Sequence, residues 1–278
     1  MFPALLTFLA MLAFAANSVL CRLALGDGAI DAPRFTAVRI VAGALVLVTL
    51  ARARSQEASL EGNWRQPASL FVYALGFSLA YVSLDTGTGA LILFGAVQGT
   101  MIGAGVLRGE RPTGRQQLGI ALGLGGLVAL LLPGASAPSP WGAAAMAVAG
   151  VGWGLFSLLG QGVSDPIAST ARAFLWATPV ALLVALPGMG EAVVSARGVG
   201  LAATSGAITS GLGYAIWVAA LRGHSATSAA VVQLSVPVLA GLGGWLLLSE
   251  PLTGRFVAAG GVTLVGVALT VRRATEVR

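Results

Sequence analysis

The chain is divided into ten apolar runs, each close to the length of a membrane span, by short breaks rich in Gly, Pro, Asp or Arg. A helix that crosses the hydrocarbon core of a bilayer needs about 20 predominantly apolar residues. Only 9% of the 278 residues are charged, whereas a soluble domain carries about 25%. Because so few charges cannot solvate a globular surface, the sequence predicts an all-α integral membrane protein with ten transmembrane helices.

The uneven distribution of Arg among the short loops predicts the orientation, because cytoplasmic loops carry an excess of basic residues. With both termini on one side, that side holds ten Arg and the other holds four, which predicts cytoplasmic termini. The predicted spans are 3–24, 33–51, 67–86, 89–107, 115–132, 140–162, 166–187, 198–221, 226–248 and 254–271. The ten Arg on the side of the termini are Arg52, Arg54, Arg65, Arg108, Arg111, Arg115, Arg222, Arg272, Arg273 and Arg278. The four Arg on the other side are Arg22, Arg34, Arg197 and Arg255.

A charged joint occurs twice in the chain, as RGERPTGRQ and LSEPLTGRF, with Glu110 and Glu250 in matching positions. Before the joints, LGFSLAYVSL aligns with LGYAIWVAAL and pairs Phe77 with Tyr214. After them, LGIALGLGGLVALLL matches AAGGVTLVGVALTV, and a Pro-x5-Arg motif occurs in both the second and the seventh span. Four matches in the same order indicate an internal repeat of five helices.

The two halves, predicted as domains 1–135 and 136–278, must run in opposite directions because each crosses the membrane an odd number of times. Such inverted repeats are related by a pseudo-two-fold axis in the membrane plane and hold a substrate near the midplane. The sequence therefore predicts two inverted five-helix repeats and a small-molecule transporter that works by alternating access. It predicts no catalytic residue, cofactor or metal.

Other classes of protein fit the composition poorly. The sequence pI of about 11 would suit nucleic-acid binding only if a basic face existed, but the Arg residues lie mostly at span ends. The single cysteine, Cys21, excludes an internal disulfide and a cysteine-based metal cluster. The first apolar run, 3–25, is long enough to span and lacks a basic leader, so no cleavable signal is expected.

The sequence resembles the ten-helix EamA-type members of the drug/metabolite transporter superfamily over nearly its whole length. The resemblance is carried by GERPT and SEPLT, by the Pro-x5-Arg motifs, by QLSVPVLAGLGGWLLLSE, and by Trp153-Gly154 with Phe14-Ala15 as its counterpart. The family's Pro of helix 4 is present in helix 9 as Pro237, but Val97 stands in helix 4. The resemblance implies a bacterial inner-membrane exporter of amino acids or other metabolites, aromatic amino acids included, as a monomer or weak homodimer.

Aromatic residues of the third and eighth spans are candidates for the binding site. Tyr73, Phe77 and Tyr81 are spaced by four and share a helical face. They could also face lipid or lie in the interfacial aromatic belt. Because the repeat pairs Phe77 with Tyr214, and Trp217 lies nearby, we expect these rings to flank a central cavity that holds an apolar or aromatic ligand.

Polar residues deep in apolar spans are further candidates: Asn17, Ser18, Gln98 and Gln233. Such groups tend to face the bundle interior or a wet cavity, but they also form hydrogen bonds between helices. Both interpretations stay open for each of them. Trp153 joins the predicted substrate-binding set with the aromatic residues.

Four charged residues are predicted to have structural or gating roles. Arg39 and Arg172 each lie six residues after the Pro that starts their span, a rise of about 9 Å. Their side chains could therefore snorkel to the headgroups, and anion binding is the less favoured alternative. Glu110 and Glu250 are expected to bond backbone N–H groups or Arg side chains at helix termini.

No Asp, Glu or Lys lies in the middle of a span, and the helix-1 position offers Asn17 instead of a carboxylate. Small multidrug antiporters need such a carboxylate, and phosphorylated substrates would need clustered cations. We therefore predict a neutral or zwitterionic solute with an apolar side chain. The alternatives are a proton-coupled multidrug exporter, a sugar-phosphate or nucleotide-precursor transporter, a membrane enzyme and a non-transporting scaffold. His224, in a short loop, is expected to be solvated.

Overall fold

The apolar runs of the sequence form helices in the order expected. A computed structural model describes residues 2–54, 63–131, 138–187 and 193–271. Seven of the helices in these ranges are long and apolar enough to cross a membrane, and α3, α5 and α10 have 17, 18 and 18 residues. The helices are α1 (Phe2–Leu25), α2 (Ala32–Ala53), α3 (Arg65–Tyr81), α4 (Thr86–Leu107), α5 (Gly114–Leu131), α6 (Pro140–Gly160), α7 (Pro166–Ala185), α8 (Ala196–Gly223), α9 (Ala226–Leu248) and α10 (Gly254–Val271).

Helix starts in the breaks are fixed by a carboxylate followed by a proline. Asp31 accepts a hydrogen bond from the N–H of Arg34 at 3.0 Å at the start of α2. Asp165 accepts from the N–H groups of Ile167 and Ala168 at 2.9 and 3.1 Å at the start of α7. The carboxylates satisfy N–H groups that have no intrahelical partner, and proline in the first turn has the φ that a helix requires.

The third span ends earlier than the hydropathy predicted. The predicted limit was residue 86, but α3 ends at Tyr81 and a turn leads to Thr86 at the start of α4. The guanidinium of Arg22 donates to the carbonyl oxygens of Tyr81 and Val82 at 3.2 and 3.3 Å. Because these hydrogen bonds satisfy carbonyls at the end of the helix, the chain can turn there.

Two helices of the second half are irregular. Residues Ser205–Leu212 of α8 form a π-helix. α9 is interrupted at Gln233 and Leu234, four and three residues before Pro237. Proline has no N–H to bond the carbonyl four residues earlier, which explains the break. α4 has Val97 at the matching position and runs without interruption.

The helices pack with the symmetry of the repeat. Three pairs join a helix to its own counterpart: α5 with α10, α4 with α9, and α2 with α7. Other contacts occur twice, once in each half of the repeat, in which α1, α3 and α4 correspond to α6, α8 and α9. The contact of α3 with α6 is repeated by that of α8 with α1, and the contact of α4 with α6 by that of α9 with α1. Exchanging each helix with its counterpart therefore reproduces these contacts, as a two-fold axis requires. The two halves interdigitate, so both line the centre of the bundle.

The doubled joint caps helices across this symmetry. A carboxylate oxygen of Glu110 accepts from the N–H of Ala226 at 3.1 Å, at the start of α9. Glu250 accepts from the N–H of Thr86 at 2.9 Å, at the start of α4. Glu110 follows α4 and caps α9, which is the counterpart of α4 in the repeat. Glu250 follows α9 and caps α4 in the same way. Because α4 runs from Thr86 to the Glu110 joint, the joints lie at opposite ends of the bundle, here named the Glu250 end and the Glu110 end. The predicted inverted repeat is confirmed.

Candidate functional site

A polar group deep in α1 organises the centre of the molecule. The side chain of Asn17 is 1% exposed. Three hydroxyl groups of the π-helical segment donate hydrogen bonds to its Oδ1: Ser205 at 2.6 Å, Thr209 at 3.0 Å and Ser210 at 3.4 Å. Such π-helical segments are rare and occur frequently at functional sites. Here the local geometry of α8 directs three hydroxyls at one acceptor in the other half of the molecule.

The amide nitrogen of Asn17 faces two tyrosines, one from each half. Its Nδ2 lies 3.3 Å from the hydroxyl of Tyr73 and 3.5 Å from that of Tyr214. The two hydroxyl oxygens are 2.8 Å apart and share a hydrogen bond. Tyr73 is 3% exposed and Tyr81 is fully buried, so the interfacial belt considered for these two residues is wrong.

Arg39 points into this cluster. Its Nη2 donates to the hydroxyl of Tyr214 at 3.4 Å, and its guanidinium carbon lies 5.2 Å from the ring centroids of both Tyr73 and Phe77. The side chain is 1% exposed, so the expected snorkelling to the headgroups is wrong. Ring faces attract a cation and the phenol accepts a hydrogen bond, which draws the side chain inward. The backbone of α2 also lies against Gly206 of α8, where any Cβ would collide with the carbonyl oxygen of Arg39.

Trp153 of α6 joins the polar cluster to an aromatic one. Its ring centroid lies 4.5 Å from that of Tyr214, 4.9 Å from that of Tyr73 and 5.1 Å from that of Phe14. Its indole N–H donates to Oε1 of Gln233 at 2.7 Å, within the break in α9. Four helices thus meet at one tryptophan. The central cluster is the name used below for the following residues: Phe14, Asn17, Arg39, Tyr73, Trp153, Tyr214 and Gln233.

Trp217 extends the aromatic packing toward the Glu110 end. Its indole N–H donates to Oγ of Ser157 at 3.0 Å, and its ring lies 5.7 Å from that of Phe14. Trp153 and Trp217 are 2% and 0% exposed. In this conformation the rings therefore pack against one another at the centre of the bundle.

Comparison with known proteins decides the class of the molecule. A sequence model of the EamA-like transporter family matches residues 1–132 and 140–272. The chain belongs to this family. Membership identifies it as a multi-pass membrane transporter of a small molecule. The two matches fall in the two halves, and the domain limits at residues 135 and 136 stay a prediction.

This EamA-like transporter is also similar to individual proteins. It is 55% identical over 266 residues to PA1977, an uncharacterised protein of Pseudomonas aeruginosa, with 95% of this chain and 93% of that protein covered. It is 28% identical over 209 residues to an uncharacterised transporter of Archaeoglobus fulgidus, with coverages of 73% and 74%. A crystal structure of another protein has the same fold, with a TM-score of 0.72, 21% identity and coverages of 98% and 97%.

Some predicted site residues of the EamA-like transporter lie at the margin of the central cluster or outside it. The hydroxyl of Ser18 donates to a backbone carbonyl of its own helix at 3.3 Å. The hydroxyl of Tyr81 donates to a carbonyl at the start of α4 at 3.1 Å, toward the Glu250 end. Gln98 is fully buried, and its amide has no hydrogen-bond partner among the described residues. Arg172, the counterpart of Arg39, is only partly buried.

Three residues that bond Asn17 were not predicted from the sequence: Ser205, Thr209 and Ser210. A hydroxyl in an apolar helix commonly bonds the backbone of its own helix, so single Ser and Thr residues carry little signal. The run TSGAITSG in the eighth span is the signal that could have indicated them. Over the described ranges, no group of three or more His, Cys, Asp or Glu is placed to hold a metal ion.

Proposed function

We propose that the protein exports small neutral or zwitterionic metabolites, foremost amino acids and aromatic ones among them, across the bacterial inner membrane by alternating access. Both termini are then cytoplasmic, and the working unit is a monomer or a weak homodimer. The observation that carries this proposal is the central cluster, in which Asn17 and Arg39 bond tyrosine hydroxyls and the rings of the same tyrosines, Tyr73 and Tyr214, pack against Trp153. Polar anchors and a ring surface side by side match a solute with a polar head and an apolar side chain.

The surroundings of the central cluster support alternating access. It lies between two inverted halves, and at each end a carboxylate of one half caps a helix of the other. Two of the helices around it, α8 and α9, are irregular at Ser205–Leu212 and Gln233. Interrupted helices beside a central site are typical of transporters whose halves rock around a bound substrate. Rocking would release one Glu cap while the other stays closed.

The sequence around the site favours a solute without net positive charge. Every Asp and Glu of the described residues lies at or outside a helix end, so a cationic drug would find no carboxylate of these residues at the centre. Trp153, Tyr214 and Trp217 offer ring faces, and the hydroxyls around Asn17 offer donors and acceptors. These groups suit the side chain and the polar head of an aromatic amino acid.

The test is counterflow of labelled amino acids by purified protein in liposomes. We expect exchange of an aromatic amino acid such as phenylalanine well above that of protein-free liposomes. No counterflow with any amino acid of a full panel, from protein that stays folded, would overturn the proposal. Movement of a cationic dye driven by an imposed pH gradient would then support a proton-coupled multidrug exporter.

A conservative change at Trp153 tests the site within the same assay. Trp153→Phe removes the indole N–H that bonds Gln233 at 2.7 Å and shrinks a ring that is 2% exposed. We expect about a tenfold loss of phenylalanine exchange, the effect of one good hydrogen bond to a positioned group. Trp141→Phe is the matched control, because Trp141 lies on the same helix with 72% of its surface exposed. Equal exchange by both variants would remove Trp153 from the site.

A further inference from the structure

We propose that Arg39 is the binding site for a carboxylate group of the transported solute. This inference rests on the proposed function and deepens it, because it assigns the charge of the ligand and the residue that selects it. The central cluster then recognises an acid group with Arg39 and an apolar side chain with its rings.

The charge of Arg39 is buried, and no carboxylate of the described residues forms an ion pair with it. The side chain is 1% exposed, and a guanidinium stays protonated in proteins. Among the described residues, the ion pairs involve other arginines, namely Arg22, Arg34 and Arg197. A buried ion costs several kcal/mol even after relaxation of its surroundings. An uncompensated charge at this depth is therefore expected to serve a function.

The neighbours of Arg39 compensate this cost only in part. Two ring faces, those of Tyr73 and Phe77, each lie 5.2 Å from the guanidinium carbon, and a cation–π contact offsets only part of the cost of desolvating the charge. Nη2 has one long hydrogen bond, of 3.4 Å, to Tyr214. Nη1 has no hydrogen-bond partner among the described residues. The guanidinium thus keeps donors and charge for a ligand.

A carboxylate is the group that fits these donors. Its two oxygens match the two parallel N–H groups of a guanidinium, and the pair is stronger than a neutral hydrogen bond. The Tyr214 and Tyr73 hydroxyls lie beside it and can donate to the same anion. The single charge of Arg39 suits one carboxylate better than a phosphate dianion, because its repeat counterpart, Arg172, is only partly buried.

The position of Arg39 sets the orientation of the whole ligand. The Tyr73 ring lies 5.2 Å from the guanidinium carbon and 4.9 Å from the ring of Trp153. A carboxylate at Arg39 would therefore place an adjoining apolar side chain near Trp153.

Carboxylate binding is tested directly by thermal stabilisation of the purified protein with benzoate and with benzamide, which has the same ring and no charge. A ligand that binds the folded state raises its unfolding temperature. We expect benzoate to stabilise the wild type and benzamide to have no comparable effect. The difference between the two ligands should disappear in Arg39→Gln. In Arg39→Lys, which keeps the charge but not the planar fork, the apparent affinity for benzoate should fall about tenfold. Arg52→Gln, at the exposed end of the same helix, should respond as the wild type.

Transport provides the second readout, as counterflow of phenylalanine against phenylalaninamide. We expect the wild type to prefer phenylalanine at least about tenfold, from the charge-assisted bonds, and Arg39→Lys to lose most of this preference. Equal stabilisation by benzoate and benzamide, or an unchanged preference in Arg39→Lys, would overturn the inference. The proposed function fails separately, when the wild type exchanges no amino acid although benzoate still stabilises it through Arg39. If Arg39→Gln does not fold, Arg39→Lys and the wild-type comparison decide.

Discussion

The two ends of the bundle use the same sequence joint but hold it with different chemistry. At the Glu250 end, the carboxylate of Glu250 lies 3.2 Å from Nε of Arg22, and Arg22 also lies 3.7 Å from Asp85. At the Glu110 end, Glu110 accepts hydrogen bonds from the backbone N–H and the hydroxyl of Thr227, and no ion pair of the described residues involves it. Among the described residues, the Glu250 joint thus has ion pairs and hydrogen bonds, whereas the Glu110 joint has hydrogen bonds.

The remaining ion pairs follow the same division. All four among the described residues lie at the Glu250 end, and two of them join the halves: Arg22 with Glu250, and Arg197 with Asp27 at 3.2 Å. A sequence repeat therefore does not give the two ends of the bundle the same ion pairs. Under alternating access, we expect opening of the Glu110 end to require less free energy than opening of the Glu250 end. This difference is expected although Glu110 and Glu250 stand at matching positions of the repeat.

The largest expected effect is that of Glu250→Gln. The side chain of Glu250 is 12% exposed, so its removal leaves the partly buried Arg22 with only the longer ion pair to Asp85, at 3.7 Å. Loss of one partner of a buried pair costs about 3 kcal/mol. Glu110→Gln should cost only about 1 kcal/mol, since the amide oxygen still accepts a hydrogen bond. The measurement is the free energy of unfolding in mixed micelles, and equal losses at the two positions would contradict the unequal closure.

A smaller effect on stability is expected from the Thr residue that each Glu cap bonds at the start of a helix. The hydroxyl of Thr227 donates to Glu110 at 2.5 Å, whereas the hydroxyl of Thr86 has no partner among the described residues. Thr86 bonds Glu250 through its backbone N–H and not through its hydroxyl. Thr227→Val should therefore lower the free energy of unfolding by about 1 kcal/mol. Thr86→Val is the matched control and should leave it unchanged or raise it, because it removes an unsatisfied buried hydroxyl.

The smallest expected effect concerns pH and is confined to the Glu110 end. His224, the single histidine of the chain, lies 3.1 Å from the hydroxyl of Thr7 and 3.2 Å from that of Ser228. It is partly buried, so the solvated loop position expected from the sequence is wrong. Burial lowers the pKa of His224 from its ordinary value of 6.5, because desolvation disfavours the imidazolium.

The sign of the pH dependence follows from this direction. The folded state favours neutral His224, so its contribution to stability is complete above pH 6.5 and is lost as the pH falls below that value toward the lower pKa of the folded state. Unfolding temperatures measured through this range should fall for the wild type and stay flatter for His224→Gln. A variant that follows the wild-type curve would show that the titrating group lies elsewhere.

The sequence alone determined the architecture of this protein. A bilayer imposes a fixed thickness, so the length of each apolar run predicts a span without knowledge of its neighbours. Breaks such as Asp165-Pro166 start helices through local hydrogen bonds and a fixed φ. The repeat around Glu110 and Glu250 then determined the inverted halves by counting, because an odd number of helices reverses the direction of the second copy. The expected bonds of these carboxylates to backbone N–H groups are present.

Only the tertiary structure decided which residues meet at the centre. The sequence could not show whether Arg39 extends to the headgroups or inward, because the answer lies in the ring faces and the phenol that α3 and α8 bring to it. Nor could it show that α8 becomes π-helical at Ser205–Leu212 and directs three hydroxyls at Asn17. A membrane span is specified by the hydropathy of its own residues, whereas a binding site depends on side chains that distant helices place within a few ångströms of one another.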